Sequence, residues 1–253
     1  MLPLLTDAAL STPADVIVRV VDLAGVFANA MLGGLAARAA RLDIFGFVVL
    51  AIASGLGGGI IRDLLLGTGP VLALTDPLYL WFSVVGALLV AIIPFSSPRA
   101  ATGLAVVDAS ALGCWAAVGT QRGLNAGLDW LPAILLGVVT AVGGGMVRDL
   151  LLVRRPAVLG GNTLYATSAL AGAVFVVVFS AVGLPIVGTF SSLVVAAALS
   201  LLARHYRWTL PLAPMLRVGH RSQRSPRTTT IQVRTTSIPV VGKRSDGGGD
   251  RGH

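Results

Sequence analysis

The chain has 253 residues, of which 55% are hydrophobic and 12% are charged, and its mean hydropathy is +0.85. An ordinary soluble domain carries about 25% charged residues, so this composition excludes a soluble globular protein and predicts a chain that lies in a lipid bilayer. The net charge is +8, and the single cysteine, Cys114, excludes an intrachain disulfide and a cysteine-based metal site.

The N-terminal segment carries charge but no leader pattern. The first 18 residues contain Asp7 and Asp15 and no basic residue ahead of an apolar core, which predicts that no cleavable signal peptide is present. We expect residues 1–15 to form a short external segment before the first helix.

Seven apolar stretches follow in chain order. A helix that crosses a bilayer needs roughly 20 apolar residues, and each stretch approaches or meets that length. Residues 156–203 contain no Asp, Glu, Lys or Arg, and Gly183-Leu184-Pro185 divides this region into two helices. The sequence therefore predicts an all-α integral membrane protein with transmembrane helices at 16–37, 44–66, 77–94, 102–122, 131–153, 163–182 and 184–204.

The last segment, residues 205–253, is a basic tail rich in Arg, Thr, Ser and Gly, and we expect it to be disordered because it cannot bury enough apolar surface.

Basic residues mark the cytoplasmic side, which predicts a multi-pass protein of the inner (plasma) membrane with a cytoplasmic C-terminus and an external N-terminus. The tail serves as a topology and solubility signal, or alternatively contacts anionic lipid headgroups. Nucleic acid is not an expected partner, because beyond Trp208 no aromatic residue lies among the arginines.

An internal repeat organises the membrane region. Residues 57–66 read GGGIIRDLLL and residues 143–152 read GGGMVRDLLL, an offset of 86 that also aligns Asp22 with Asp108 and Tyr79 with Tyr165. Residues 16–94 and 102–182 are therefore two copies of a three-helix unit. Three spans are an odd number, so the second copy enters the membrane in the opposite direction. The pattern predicts an inverted repeat, with the helix at 184–204 outside the symmetry.

Each copy carries three consecutive glycines inside a predicted helix. A glycine costs about 1 kcal/mol relative to alanine in a helix, so we expect the second and fifth spans to kink or unwind there. Unwound backbone is tolerated at membrane depth only where it lines a cavity or is buried in protein. The predicted pore kinks are Gly57, Gly58, Gly59, Gly143, Gly144 and Gly145. Close helix packing through small residues is the alternative.

Charged residues within the spans are the second functional signal. Arginine or aspartate at the centre of a membrane helix costs about 2.5–3.5 kcal/mol, so each needs a partner or water. The candidates for a gate or ion pathway are Asp22, Arg62, Asp63, Asp108, Arg148 and Asp149, together with the hydroxyls of Ser54 and Thr140 one turn before the glycines. These hydroxyls can alternatively bond to their own helix.

The repeat predicts which charges pair. Adjacent Arg62 and Asp63 point about 100° apart on a helix, so we expect Arg62 to find its partner on another helix. The hypothesis is two gates or ion-coordinating layers, one of Asp22 with Arg62 and one of Asp108 with Arg148. A purely structural salt bridge is the alternative, and Arg19 competes for Asp22. The matched tyrosines are expected to anchor the membrane interface.

Over residues 15–204, the duplicated GGGxxRD segments and the three-plus-three-plus-one arrangement resemble the prokaryotic branch of the trimeric intracellular cation (TRIC) channel family. The resemblance implies a homotrimer in which each protomer has an hourglass pore lined by the second and fifth spans. It implies permeation of monovalent cations, potassium or sodium and chiefly potassium, with no cofactor and no resident metal.

Other function classes stay open from the residues alone. Related bacterial sequences are also grouped under a glycine-transporter label, so a small amino acid carrier that uses the same broken helices is the alternative function. A non-transporting membrane scaffold would show neither flux nor uptake and would tolerate Gly58→Leu or Gly144→Leu if the packing adjusts. An enzyme is not expected, because the sequence shows no nucleophile with a base, no cofactor motif and no metal cluster.

Overall fold

The computed structural model describes residues 13–93, 98–159 and 164–208, and this part of the chain is helical. We number its helices in chain order as α1 (Pro13–Ala39), α2 (Ile44–Leu66), α3 (Leu72–Thr75), α4 (Pro77–Ile92), α5 (Pro98–Asn125), α6 (Trp130–Leu151), α7 (Tyr165–Ala181) and α8 (Pro185–His205), with a short 3-10 helix at Ala157–Leu159. Residues 1–12 of the predicted external segment and residues 209–253 of the predicted tail lie outside the described residues.

Helices lie at all seven predicted places, and α3 is an additional single turn in the connection between α2 and α4. By length and hydropathy, five of the described helices are able to cross a membrane: α1, α2, α5, α6 and α8. The apolar helices α4 and α7 are shorter, with 16 and 17 residues. At 1.5 Å per residue they extend about 24–26 Å, somewhat less than a hydrocarbon core of about 30 Å.

Aspartates set the beginnings of three helices. Asp43 accepts a hydrogen bond from the Gly46 amide at the start of α2, and Asp76 accepts one from the Leu78 amide at the start of α4. Asp129, which matches Asp43 in the repeat, is the N-cap of α6. An aspartate at this position satisfies an amide that has no partner within the helix. Equivalent caps therefore fix where the glycine-bearing helices of the two copies begin.

Helix α5 lies at the centre of the bundle, where it packs along α1, α6, α7 and α8, while α2 packs against α1, α4 and α6. The buried core between them includes Leu23, Leu56, Leu112 and Trp115. Large apolar side chains such as Trp81 and Val194 are exposed on the outer faces. Helices that are apolar all round suit burial in lipid, so this outer surface fits a bilayer.

The two glycine triplets are the place where α2 and α6 cross. Both helices run unbroken through them, so the predicted unwinding does not occur, the predicted kink stays a prediction, and the alternative, close packing, is present. A Cβ atom on Gly58 would lie 2.4 Å from the carbonyl oxygen of Thr140, and one on Gly144 would lie 2.5 Å from that of Ser54. Because glycine has no side chain, the backbones of α2 and α6 come into direct contact here. The favourable packing of this contact offsets the low helix propensity of glycine.

Candidate functional site

Charged side chains from three helices and a tyrosine from a fourth meet near the end of α2. We call Asp22, Arg62, Asp63, Tyr79 and Arg122 the first cluster. Arg62 Nη1 donates to Asp22 Oδ2 at 3.0 Å, and Arg62 Nε donates to Asp63 Oδ1 at 2.8 Å. The Tyr79 hydroxyl donates to Asp22 Oδ2 at 2.8 Å, and Arg122 Nη2 lies 3.6 Å from the same oxygen. Two arginines thus face two aspartates, and the formal charge of the first cluster is zero.

Burial makes these contacts energetically important. The side chains of Arg62 and Asp22 are 0% and 1% exposed, so neither charge is solvated by bulk water. An ion pair in such a place compensates its desolvation only when its hydrogen bonds are also satisfied. The bonds from Tyr79 to Asp22 and from Arg62 to Asp63 provide much of that compensation.

The connection after α2 is fixed by the same aspartate that neutralises Arg62. Asp63 Oδ2 accepts a hydrogen bond from the Leu72 amide at 3.0 Å, which ties α3 to the end of α2. Arg19 pairs with Asp76 at 2.6 Å, so Arg19 does not compete for Asp22.

A corresponding arrangement lies near the end of α6. We call Asp108, Arg148, Asp149, Tyr165 and Arg204 the second cluster. Tyr165 donates its hydroxyl to Asp108 Oδ1 at 3.1 Å, and Arg148 Nε donates to Asp149 Oδ1 at 3.2 Å. Arg204, from the last turn of α8, pairs with Asp108 Oδ2. This cluster too contains two arginines and two aspartates, and its formal charge is zero.

The second cluster differs from the first in its access. All five of its residues line a cavity of about 140 Å³. The Arg148 and Arg204 side chains are 17% and 34% exposed, whereas Arg62 is fully buried. The ion pair of Asp22 with Arg62 is therefore closed off, although Arg122 beside it is 27% exposed, and the second cluster is open to a small cavity.

The predicted pairings are partly corrected by these contacts. Arg62 does pair with Asp22 through Nη1, but its Nε also bonds the neighbouring Asp63, because different nitrogens of one guanidinium bind the two carboxylates. The predicted pair of Asp108 with Arg148 is wrong: among the described ion pairs, Asp108 is held by Arg204 and Arg148 by Asp149. The physical reason is α8, which lies outside the repeat and brings its own arginine to Asp108.

Four residues of the clusters were missed as site residues. Tyr79 and Tyr165 were expected at the membrane interface, yet both bond the aspartate of their own copy. Their matched spacing from Asp22 and Asp108 was a usable signal. Arg122 and Arg204 gave no such signal, because the positions 86 residues before them hold Ala36 and Val118 and so show no matched charge.

The predicted hydroxyls lie against the glycine crossing, and both are buried. Thr140 Oγ1 donates to the Leu136 carbonyl oxygen at 2.6 Å, so it bonds to its own helix. Within the described residues, Ser54 Oγ has no hydrogen-bond partner. The same holds for Asp22 Oδ1, Arg62 Nη2, Trp115 Nε1 and Arg122 Nε. Most buried polar atoms in proteins have a hydrogen-bond partner in the protein or in ordered water.

Comparisons with known proteins show which family the chain resembles. The sequence profile of a family described as "Glycine transporter" matches residues 19–94 and 105–181. A UPF0126 membrane protein of Deinococcus radiodurans is 40% identical over 60% of this chain and 71% of its own length. The UPF0126 inner membrane protein YadS of Escherichia coli is 36% identical over 60% of this chain and 74% of its own length.

Solved structures give the same result. A TRIC trimeric intracellular cation channel orthologue from Rhodobacter sphaeroides matches with a TM-score of 0.69 and 33% identity, over 76% of this chain and 98% of that protein. A prokaryotic TRIC channel studied in 0.5 M KCl matches with a TM-score of 0.69 and 28% identity, over 77% of this chain and 99% of that protein. The two segments matched by the profile coincide with the two repeat copies and contain both clusters except Arg204. The chain therefore belongs to the TRIC-like family of membrane proteins whose profile is described as glycine transporter.

Proposed function

We propose that this protein is a monovalent cation channel, permeable to potassium, with an ion pathway in each protomer. One observation carries the proposal: along the central helix α5 the two clusters lie on either side of Trp115, which packs against the glycine crossing of α2 and α6. An unpaired arginine would repel a permeating cation, but in both clusters the arginines are neutralised by aspartates.

The proposed pathway is lined by α2 and α6, the second and fifth predicted spans, together with α1 and α5. Asp22 and Asp108 supply carboxylate oxygens toward its two ends, and Ser54 and the glycine backbones lie between them. Arg122 and Asp108 are 14 residues apart on α5, about 21 Å along the helix axis at 1.5 Å per residue. This length suits a pathway through most of a bilayer.

We further propose seven membrane spans arranged as two inverted repeats plus α8. The glycine contacts support this arrangement because they are reciprocal: Gly58 faces the carbonyl of Thr140, and Gly144 faces that of Ser54. Each partner stands four residues before the opposite glycine, as expected for a pseudo-two-fold axis between α2 and α6. The N-terminus then lies outside and the C-terminus in the cytoplasm.

The proposed assembly is a homotrimer in the inner membrane. Trimeric organisation is stated for the similar channel of Rhodobacter sphaeroides, and an inner-membrane location for the Escherichia coli relative. The basic tail is proposed to contact anionic lipid headgroups on the cytoplasmic side.

A glycine carrier is the second candidate function, and the cavity at the second cluster favours it. This cavity of about 140 Å³ is lined by Arg148 and Arg204, which are suited to hold a substrate carboxylate, and by Asp108 and Asp149, which suit an amino group. A carrier would bind glycine there before opening the first cluster.

Potassium flux into liposomes that contain the purified protein tests the channel proposal, with glycine uptake measured on the same vesicles. We expect potassium flux above that of protein-free vesicles. We expect the double variant Gly58→Leu/Gly144→Leu to lose it, because the leucines would force α2 and α6 apart.

The matched control is Gly103→Leu, since a Cβ atom on Gly103 meets nothing within 4 Å. Chromatography and circular dichroism check that each variant remains folded. Saturable glycine uptake without potassium flux would overturn the channel proposal and support the carrier.

A further inference from the structure

Trp115 occupies the centre of the helix bundle. Its side chain is 0% exposed, and three of the neighbouring helices, α1, α2 and α6, each present a glycine to it. A Cβ atom on Gly25 of α1 would lie 2.5 Å from Trp115 Nε1. One on Gly58 of α2 would lie 3.0 Å from Cζ3, and one on Gly144 of α6 would lie 2.6 Å from the same atom. The indole therefore fits only because three glycines surround it.

This aromatic residue breaks the symmetry of the repeat. The equivalent position in the first copy, 86 residues earlier, holds Asn29, which is also buried. A pathway related by a two-fold axis would carry the same group on both sides of the crossing. Here one side carries a small polar amide, and the other carries a large aromatic ring set against both glycine triplets.

The position of Trp115 along α5 places it between the two clusters. Asp108, Trp115 and Arg122 follow each other at intervals of seven residues, and we call them the α5 stripe. Residues seven apart on an α-helix differ in direction by only about 20°, so the α5 stripe lies on one face. Arg122 contacts the first cluster and Asp108 the second, so the indole stands on the line that joins them.

We propose that Trp115 is the plug of the ion pathway: its indole fills the space at the α2–α6 crossing and separates the first cluster from the second. This inference rests on the proposed channel function. The indole is mostly apolar, with a single N–H that has no partner among the described residues, and a bulky ring at a narrow point blocks ions, as hydrophobic constrictions do in other channels. Conduction requires that the indole leave its place between Gly25, Gly58 and Gly144.

The test is potassium flux in liposomes for Trp115→Ala and Trp115→Phe beside the wild type. We expect Trp115→Ala to raise the flux about tenfold, which corresponds to a barrier lower by about 1.4 kcal/mol. Trp115→Phe keeps an aromatic ring of smaller size and is expected to raise it less. Trp81→Ala is the matched control, because Trp81 is 64% exposed and should leave the flux unchanged.

A second variant separates a plug from a purely structural role. Trp115→Cys, made together with Cys114→Ala, opens the same space and leaves one thiol in it. Benzyl methanethiosulfonate then adds an aromatic ring through a mixed disulfide and is expected to return the flux toward the wild-type level. Because the benzyl group also refills the packing space, thermal unfolding is measured beside the flux: recovery of stability with no change in flux would show a purely structural role and overturn the plug.

The possible failures are distinguishable. If the wild type conducts and the folded Trp115 variants conduct equally or less, the plug is overturned and the channel proposal stands. If the wild type and every variant match protein-free vesicles, the channel proposal itself fails, and the plug fails with it.

Discussion

At the scale of single residues, the arginines of the two clusters form ion pairs with aspartates, which lowers the free-energy cost of charge inside an apolar bundle. Arg62 is fully buried, and its guanidinium bonds carboxylates on both α1 and α2. A charge at the centre of a membrane helix costs about 2.5–3.5 kcal/mol when it lacks such partners. The second cluster contains the same residue types, but its arginine side chains are more exposed than that of Arg62. Its ion pairs should therefore contribute less to the stability of the fold than the pair of Asp22 with Arg62.

This difference predicts unequal effects of removing the two aspartates. Asp22→Asn leaves Arg62 buried with only Asp63 as a partner, and breaking a buried pair typically costs about 3–5 kcal/mol. Asp108→Asn should cost less, since its partner Arg204 is 34% exposed. Thermal unfolding in detergent measures both variants.

Asp129→Asn is the control for this comparison, because asparagine also serves as an N-cap and Asp129 is exposed. Equal destabilisation by Asp22→Asn and Asp108→Asn would contradict the view that the first cluster is the closed one.

At the scale of helices, the glycine triplets act as a contact surface between two intact elements. Only some of the triplet glycines carry the contact. A Cβ atom on Gly58 would collide with the Thr140 carbonyl oxygen at 2.4 Å, whereas one on Gly59 would find its nearest neighbour, Arg62 Nη2, at 3.7 Å. The three residues of a triplet therefore face different surroundings, although the sequence presents them as identical.

Alanine substitutions should separate these positions. Gly58→Ala is expected to destabilise the protein by about 1–3 kcal/mol, the usual cost of overpacking. Gly59→Ala is expected to be neutral or to stabilise α2 by up to about 1 kcal/mol, because alanine favours the helix. Thermal unfolding of the two variants tests this difference. Similar losses for both would argue that the triplet is needed for backbone flexibility rather than for contact.

At the scale of the whole molecule, helix α8 lies outside both repeat copies and packs onto the bundle that they form. Helix α8 packs along α5 and α7 and supplies Arg204 to the second cluster. The first cluster instead receives its additional arginine, Arg122, from α5. Two copies with nearly the same motif thus end in different electrostatic environments, one closed and one beside a cavity.

The proposed inversion predicts that equivalent positions of the two copies face opposite sides of the membrane. Leu42 and Leu128 are such a pair, 86 residues apart, and they are 41% and 37% exposed in short connections. In a Cys114→Ala background, a membrane-impermeant thiol reagent should label Leu128→Cys in intact cells. It should label Leu42→Cys only after the membrane is opened. Labelling of both from the same side would refute the inverted repeat.

The sequence by itself indicated the bilayer environment, the seven apolar stretches that form helices and the internal repeat. Long apolar stretches and the break at Gly183-Leu184-Pro185 are local signals, and the helix ends they predicted lie within four residues of those observed. Only the tertiary structure decided that the helices stay intact at the glycines and that Asp108 binds Arg204. Whether a glycine breaks a helix depends on the backbone that packs against it. The partner of a charge depends on which long side chain reaches it across the bundle, and neither is written in local spacing.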